Sequence, residues 1–138
     1  MRKLFIFDTS VVLQAMLSRH SLAFTALRKA DNHGIIVVSD ATLYELEEKM
    51  YLSKFDKYQS LPSRRAFFKA YSLMALNLEP TIEIAACRDP KDDMFLSLAL
   101  AANADCIISR DEDLLVLNPF ENIPILNTSD FMRRFFSS

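Results

Sequence analysis

Apolar runs of strand length alternate with helical patterns along the whole chain. Three runs read as buried strands, Lys3 to Phe7, Ile35 to Ser39 and Cys106 to Ser109, and two weaker ones follow the same rule, Thr81 to Ala85 and Ile125 to Leu126. Strands joined by helical connections pair in parallel through right-handed crossovers. The pattern therefore predicts an α/β fold, an open parallel sheet of about five strands with helices on both faces in three layers.

Length and composition place this sheet in one ordinary globular domain. The chain has 138 residues, which fits a single domain over residues 1–138. Its formal net charge is -2, so the chain lacks the overall basic excess that would indicate nucleic-acid binding. A local basic strip is nevertheless enough to hold phosphates. The single glycine, Gly34, excludes a dinucleotide-binding fold, which needs a glycine-rich first turn.

The chain is expected to be cytoplasmic and to have no membrane contact. Arg2 and Lys3 precede an apolar run, but Asp8 interrupts that run and no small-residue cleavage site follows. No stretch approaches the roughly 20 apolar residues that a membrane span requires. Two cysteines are too few for a disulfide framework and fit buried thiols in a reducing compartment.

Four acidic residues stand where the predicted strands end or where the adjoining helices begin. Asp8 follows the first strand, Glu45 lies one turn into the helix after the second, Asp92 begins a helix, and Asp111 follows the Cys106 strand. Ligands of open parallel sheets bind beyond the carboxyl ends of the strands, so the four side chains are expected to converge. Taken singly, each aspartate also fits a helix N-cap and Glu45 a solvated helix carboxylate.

Convergence of these carboxylates would require a cation. Two carboxylates about 5 Å apart repel by roughly 3 kcal/mol at an effective dielectric near 20. An all-carboxylate set selects Mg²⁺ or Mn²⁺ rather than zinc, and His20 and His33 are expected at the surface on the opposite edge. A cation held in this way, with no histidine, cysteine or lysine base, suits hydrolysis of a phosphodiester.

Three segments, in this order, resemble a PIN domain of the small prokaryotic type found as the toxin component of toxin–antitoxin pairs. They are KLFIFDTSVVL, VVSDATLYELEEKM and RDPKDDMFLSLALAANADCIISRDEDLL. The resemblance implies a five-stranded parallel sheet, a Mg²⁺ or Mn²⁺ site, endonuclease activity on single-stranded RNA and a small antitoxin as partner. It assigns the site to Asp8, Glu45, Asp92 and Asp111, with Asp113 as an accessory acid and with Ser109 and Thr9 as residues that orient the surrounding loops.

The chain departs from the family pattern at three positions. Ser10 stands where relatives often have Asn, and Arg110 stands where they often have Gly. Arg110 either holds substrate phosphate or, as we expect, pairs with Asp113. Asp93 competes with Asp92 as the acid of the helix start, and the seven-residue spacing from Asp92 to Ala99 favours Asp92.

Basic and aromatic residues after Glu45 indicate where partners would bind. Candidate phosphate contacts are Lys49, Lys54, Lys57, Arg64, Arg65 and Lys69, which equally fit a solvated helical face. A surplus of aromatic residues favours a homodimer built partly from the helices between Glu45 and Ala75. The alternative function is a PIN-like interaction module with little or no catalytic activity.

Overall fold

A five-stranded sheet, parallel throughout, forms the centre of the computed structural model, which describes residues 2–137. Its strands are β1 (Lys3–Phe7), β2 (Gly34–Val38), β3 (Leu76–Asn77), β4 (Cys106–Ile108) and β5 (Ile125–Leu126). Their order is β3-β2-β1-β4-β5, and Phe5 of β1 is paired with Ile36 on one side and Cys106 on the other. The expected open parallel sheet is confirmed.

The third strand lies earlier in the chain than the sequence predicted. Leu76 and Asn77 pair with Val37 and Val38, whereas residues 81–85 form no strand. The backbone N–H of Ile84 is bonded to the Ser97 hydroxyl instead of to a neighbouring strand. The prediction of a strand at Thr81 to Ala85 was therefore wrong, because a side chain of the adjacent helix satisfies a backbone group that a strand would have paired.

In the part of the chain that the structure describes, seven α-helices surround the sheet. They are α1 (Thr9–Leu17), α2 (Leu22–His33), α3 (Asp40–Met50), α4 (Leu61–Met74), α5 (Asp93–Ala102), α6 (Glu112–Leu115) and α7 (Thr128–Phe136). Alternate residues of β1 face opposite layers, since Phe5 and Phe7 pack with α1, α2, α3 and α7 while Ile6 packs with α5. Within residues 2–137, no helix combines the length and hydrophobicity needed to cross a membrane.

The strand order creates a crevice at the carboxyl end of β1. From this central strand the chain builds outward to β2 and β3 on one side and to β4 and β5 on the other. The connections after β1 and after β4 therefore run to opposite sides of the sheet. Open parallel sheets bind ligands at such a point, here between the carboxyl ends of β1 and β4. Asp8 follows β1 there and Ser109 follows β4, and the Asp8 N–H continues the ladder to the Ile108 carbonyl at 2.9 Å.

Candidate metal centre

Asp8 is a buried carboxylate at the start of α1, with 4% of its surface exposed. Its Oδ1 accepts the backbone N–H of Val11 at 2.9 Å and the Ser10 hydroxyl at 3.0 Å. Burial raises the pKa of Asp8 above its ordinary value, although these hydrogen bonds act in the opposite direction. Ser10, where relatives often have Asn, thus supplies a hydrogen bond to the acid.

Ser109 links the residue that follows β1 to the loop that follows β4. Its fully buried hydroxyl donates to Asp8 Oδ2 and accepts the backbone N–H of Asp111 at 2.9 Å. One side chain therefore fixes both the Asp8 carboxylate and the loop that carries Asp111. This is the orienting position that the resemblance implied for Ser109.

Glu45 approaches the crevice from α3. It is half-buried, and its Oε2 accepts the hydroxyl of Thr9, the residue directly after Asp8. The Ser39–Thr42 capping box fixes the beginning of α3 and so the direction from which Glu45 approaches. Thr9 therefore orients Glu45, as Ser109 orients Asp8.

Asp92 lies at the start of α5 without acting as a side-chain cap. Its Oδ2 is buried and has no hydrogen-bond partner among residues 2–137. Desolvation by burial, followed by the influence of the neighbouring Asp111 carboxyl group, raises the pKa of Asp92 to about 7. A buried oxygen with no donor is the one feature of the site that the protein itself leaves unsatisfied.

Asp113 forms a cluster of three close carboxylates with Asp92 and Asp111. Asp92, Asp111 and Asp113 each offer a carboxylate oxygen within 4.8 Å of the others. At that separation each ionised pair repels by roughly 3 kcal/mol at an effective dielectric of 20. Asp113 also pairs with Arg88 at 2.9 Å, so the expected Arg110–Asp113 pair was wrong. Arg110 is exposed and forms no ion pair within the described chain.

One cavity of about 250 Å³ brings the main acids together. Asp8, Glu45, Asp92 and Asp111 all line it, and so do Lys49 and Lys54. The possible metal ligands that line this cavity are carboxylate and hydroxyl oxygens, the ligand set that suits Mg²⁺ or Mn²⁺. The unpartnered Asp92 Oδ2 and the close acids fit such an ion, whereas His20 and His33 are exposed and lie elsewhere.

Asp93 differs from Asp92 in both contacts and charge. Its Oδ1 accepts the backbone N–H groups of Ala86, at 3.0 Å, and of Cys87, at 2.8 Å. Burial acts to raise its pKa, but these backbone donors outweigh it and the pKa is lowered. Asp93 therefore ties down the segment before α5, and only Asp92 lines the cavity.

Arg64 is not available to a phosphate, contrary to its place among the candidate contacts. It is fully buried, and its guanidinium donates to the carbonyls of Met50 at 2.6 Å and Leu52 at 3.2 Å and to the Asp56 carboxylate. The guanidinium holds the segment 50–56, which carries Lys54. The spacing 64, 67, 68, 71 on α4 was the available clue, since these positions share one helix face.

Comparison with known proteins identifies the family. The model of the PIN domain family matches residues 5–113, a span that includes Asp8, Glu45, Asp92, Asp111 and Asp113. The chain belongs to the PIN domain family. No curated protein matches this PIN domain at a significant level.

Two solved structures share the fold of this PIN domain. PAE2754 from Pyrobaculum aerophilum has a TM-score of 0.65 and 14% identity, over 95% of this chain and 88% of that one. A chain of VapBC2 from Rickettsia felis, crystallised bound to a DNA fragment from the promoter, has a TM-score of 0.56 and 15% identity, over 90% of this chain and 97% of that one. At such identities the likeness establishes the fold.

Proposed function

We propose that this PIN domain is a Mg²⁺- or Mn²⁺-dependent endoribonuclease that hydrolyses phosphodiester bonds of single-stranded RNA. The observation that carries the proposal is the convergence of Asp8, Glu45, Asp92 and Asp111 on one cavity, with a buried Asp92 oxygen left unpartnered. Family membership supports the same activity, since the resemblance implied a nuclease.

The chain's own groups divide the work of such a site. The four carboxylates, with Asp113 as an accessory, would hold the cation, and Ser109 and Thr9 keep Asp8 and Glu45 in place. Lys49 and Lys54, on the cavity wall, would hold the phosphates of the RNA backbone. The bound cation would activate water and stabilise the charge that develops on the phosphate.

Cleavage of RNA with added Mg²⁺, and with chelator, tests the proposal. Glu45→Gln should abolish Mg²⁺-dependent cleavage, while Glu47→Gln, an exposed acid two residues away on α3, should retain it. A folded wild-type protein that binds RNA but cleaves none at millimolar Mg²⁺ or Mn²⁺ would instead support the interaction module.

We further propose that this nuclease is the toxin of a toxin–antitoxin pair, with a small antitoxin protein as partner and a homodimeric assembly. The resemblance to toxin components supports this, as does the fold shared with a chain of VapBC2. The product of a short adjoining reading frame should co-purify with the chain and inhibit its cleavage of RNA. Independent purification and unchanged cleavage would contradict the pairing.

A further inference from the structure

We call the cavity lined by Asp8, Glu45, Asp92 and Asp111 the acid cavity. A second cavity, of about 460 Å³, adjoins it along α3. Glu45 and Lys49, about one turn apart on α3, line both cavities, so the two are neighbours along this helix. The second cavity is completed by residues of α3, of the segment after it, of the turn before α5 and of α5 itself. These are Ala41, Tyr44, Glu48, Leu52, Lys91 and Met94. An extended chain that is bound at the acids and runs along α3 would enter this space.

Tyr44 offers an uncovered aromatic ring at this cavity. The side chain is 64% exposed, and neither a cation nor another ring lies against it within residues 2–137. The two other exposed tyrosines differ, because Arg65 covers the Tyr51 ring at 5.6 Å and Lys57 covers the Tyr58 ring at 5.1 Å. Tyr44 is therefore the exposed tyrosine whose ring face is free to stack on a flat ligand.

The remaining walls select an uncharged flat group with a phosphate on one side. Leu52, 43% exposed, and Met94 provide apolar surface, while the exposed carboxylate of Glu48 disfavours a phosphate at its own side. Lys49 lines both cavities and so provides a cation on the side of the acids, while Lys91 adds a second cation to the wall of this cavity. This distribution matches one nucleotide, with its base beside Tyr44 and its phosphate toward the acid cavity.

We propose that Tyr44, Leu52 and Met94 form a nucleobase subsite for the nucleotide next to the phosphodiester bond held at the acids. The inference rests on the proposed function for the identity of the ligand, an unpaired RNA base. Stacking on one tyrosine is tolerant of base identity, so the subsite favours single-stranded over paired substrate without reading sequence.

Binding measured in EDTA, where no cleavage occurs, tests the subsite. The probes are a fluorescein-labelled adenylate hexamer and a hexamer of tetrahydrofuran spacers with the same phosphates but no bases. Tyr44→Ala should weaken binding of the adenylate hexamer by roughly fivefold or more and leave the spacer hexamer unchanged. Tyr58→Ala, which removes a ring with 65% exposure from another surface, should change neither.

Each contrary result has a distinct meaning. Equal losses for both probes, equal losses for both variants, or no preference of the wild type for the adenylate hexamer would overturn the subsite. Sedimentation in which Tyr44→Ala separates a dimer while RNA binding persists would overturn it in favour of a second copy on this face. Cleavage separates the two proposals, because a wild type that prefers bases but never cleaves leaves only the nuclease function refuted.

Discussion

The Asp8 carboxyl group lies where water scarcely reaches it. Its folded-state pKa is raised by burial, against the hydrogen bonds from Ser109, Val11 and Ser10. A carboxyl group whose pKa is raised on folding stabilises the fold below its unfolded pKa, and that contribution disappears as the pH rises through the folded pKa. Where Asp8 is ionised and no metal is bound, that contribution to the stability of the fold is therefore absent.

Replacing this carboxylate tests that sign. In EDTA at neutral pH, Asp8→Asn should melt at the same temperature as the wild type or higher, because the amide keeps the shape and removes the charge. Millimolar Mg²⁺ should raise the melting temperature of the wild type by mass action and that of the variant much less. A variant that melts several degrees lower in EDTA, with no Mg²⁺ shift in either protein, would make Asp8 a structural cap.

Asp92 should make metal binding depend on pH near neutrality. Its pKa is raised to about 7, so the cation must displace a proton below that pH. The Mg²⁺ concentration that gives half of the maximal thermal stabilisation should be roughly tenfold higher at pH 6 than at pH 8, since ionisation of one group limits binding. Asp92→Asn should weaken the stabilisation and flatten this dependence. A wild-type midpoint independent of pH would refute it.

The neighbouring acids Asp92 and Asp93 should respond differently to the same substitution. Asp92→Asn should abolish Mg²⁺-dependent RNA cleavage, because it removes a charge from the cavity. Asp93→Asn should be tolerated, because an amide oxygen still accepts the N–H groups of Ala86 and Cys87. Cleavage assays and melting curves of both variants check this, and the reverse order of activities would reassign the ligand.

At the scale of elements, the position of the segment between α3 and α4 depends on the buried guanidinium of Arg64. Arg64 reaches from α4 to two carbonyls and a carboxylate of residues 50–56. The segment carries Lys54 to the acid cavity and Leu52 to the adjoining one. The position of two wall residues thus follows from a side chain that contacts neither cavity.

Removing the Arg64 guanidinium should destabilise the segment between α3 and α4. Arg64→Met leaves the carbonyls of Met50 and Leu52 without their donor, so the free energy of unfolding should fall by about 2 kcal/mol or more. Arg65→Met, an exposed neighbour that bonds only Tyr51, should change it by no more than about 0.5 kcal/mol. Urea unfolding of both variants measures the difference, and equal values would show that Arg64 does not hold the segment.

Sequence predicted the strong elements and missed those decided by single tertiary contacts. The runs at β1, β2 and β4 are buried on both faces, so their hydrophobicity identified them directly. The edge strand β3 has two exposed residues and no hydrophobic pattern, so it could not be distinguished from a loop. The sequence predicts a surface cation at Arg64 although its spacing places it on the apolar face of α4, because nothing in the sequence shows that backbone carbonyls will enclose it.

At the scale of the whole molecule, the carboxylate convergence followed from topology alone. A parallel sheet places its strand ends and the beginnings of the crossover helices on one edge, which brought Asp8, Glu45, Asp92 and Asp111 to one cavity. The hydroxyls between them, the Arg88–Asp113 pair and the second cavity depend on side-chain positions that no periodicity encodes.

The expected homodimer can be tested on α4. Leu73 is 78% exposed and Met74 is 37% exposed at the end of this helix, within the segment from Glu45 to Ala75. Leu73→Asp should shift sedimentation toward monomer, because a charge would replace buried apolar contact. Val116→Asp alters a side chain of similar exposure, 75%, outside the segment and should leave the assembly unchanged. A wild-type monomer across micromolar concentrations would refute the dimer.

The pairing of β1 with β4 also fixes when the cavity can exist during synthesis. Ser109 bonds Asp8 across 101 positions of the chain, and Asp111 follows two residues later. A ribosome adds about 5–20 residues each second, so the first strand waits several seconds for its neighbour. Until then Asp8 lacks the Ser109 hydroxyl, and neither Asp92 nor Asp111 lies beside it. A nascent chain is consequently unable to assemble the acid cavity, and any activity against RNA begins only once nearly the whole domain has left the ribosome.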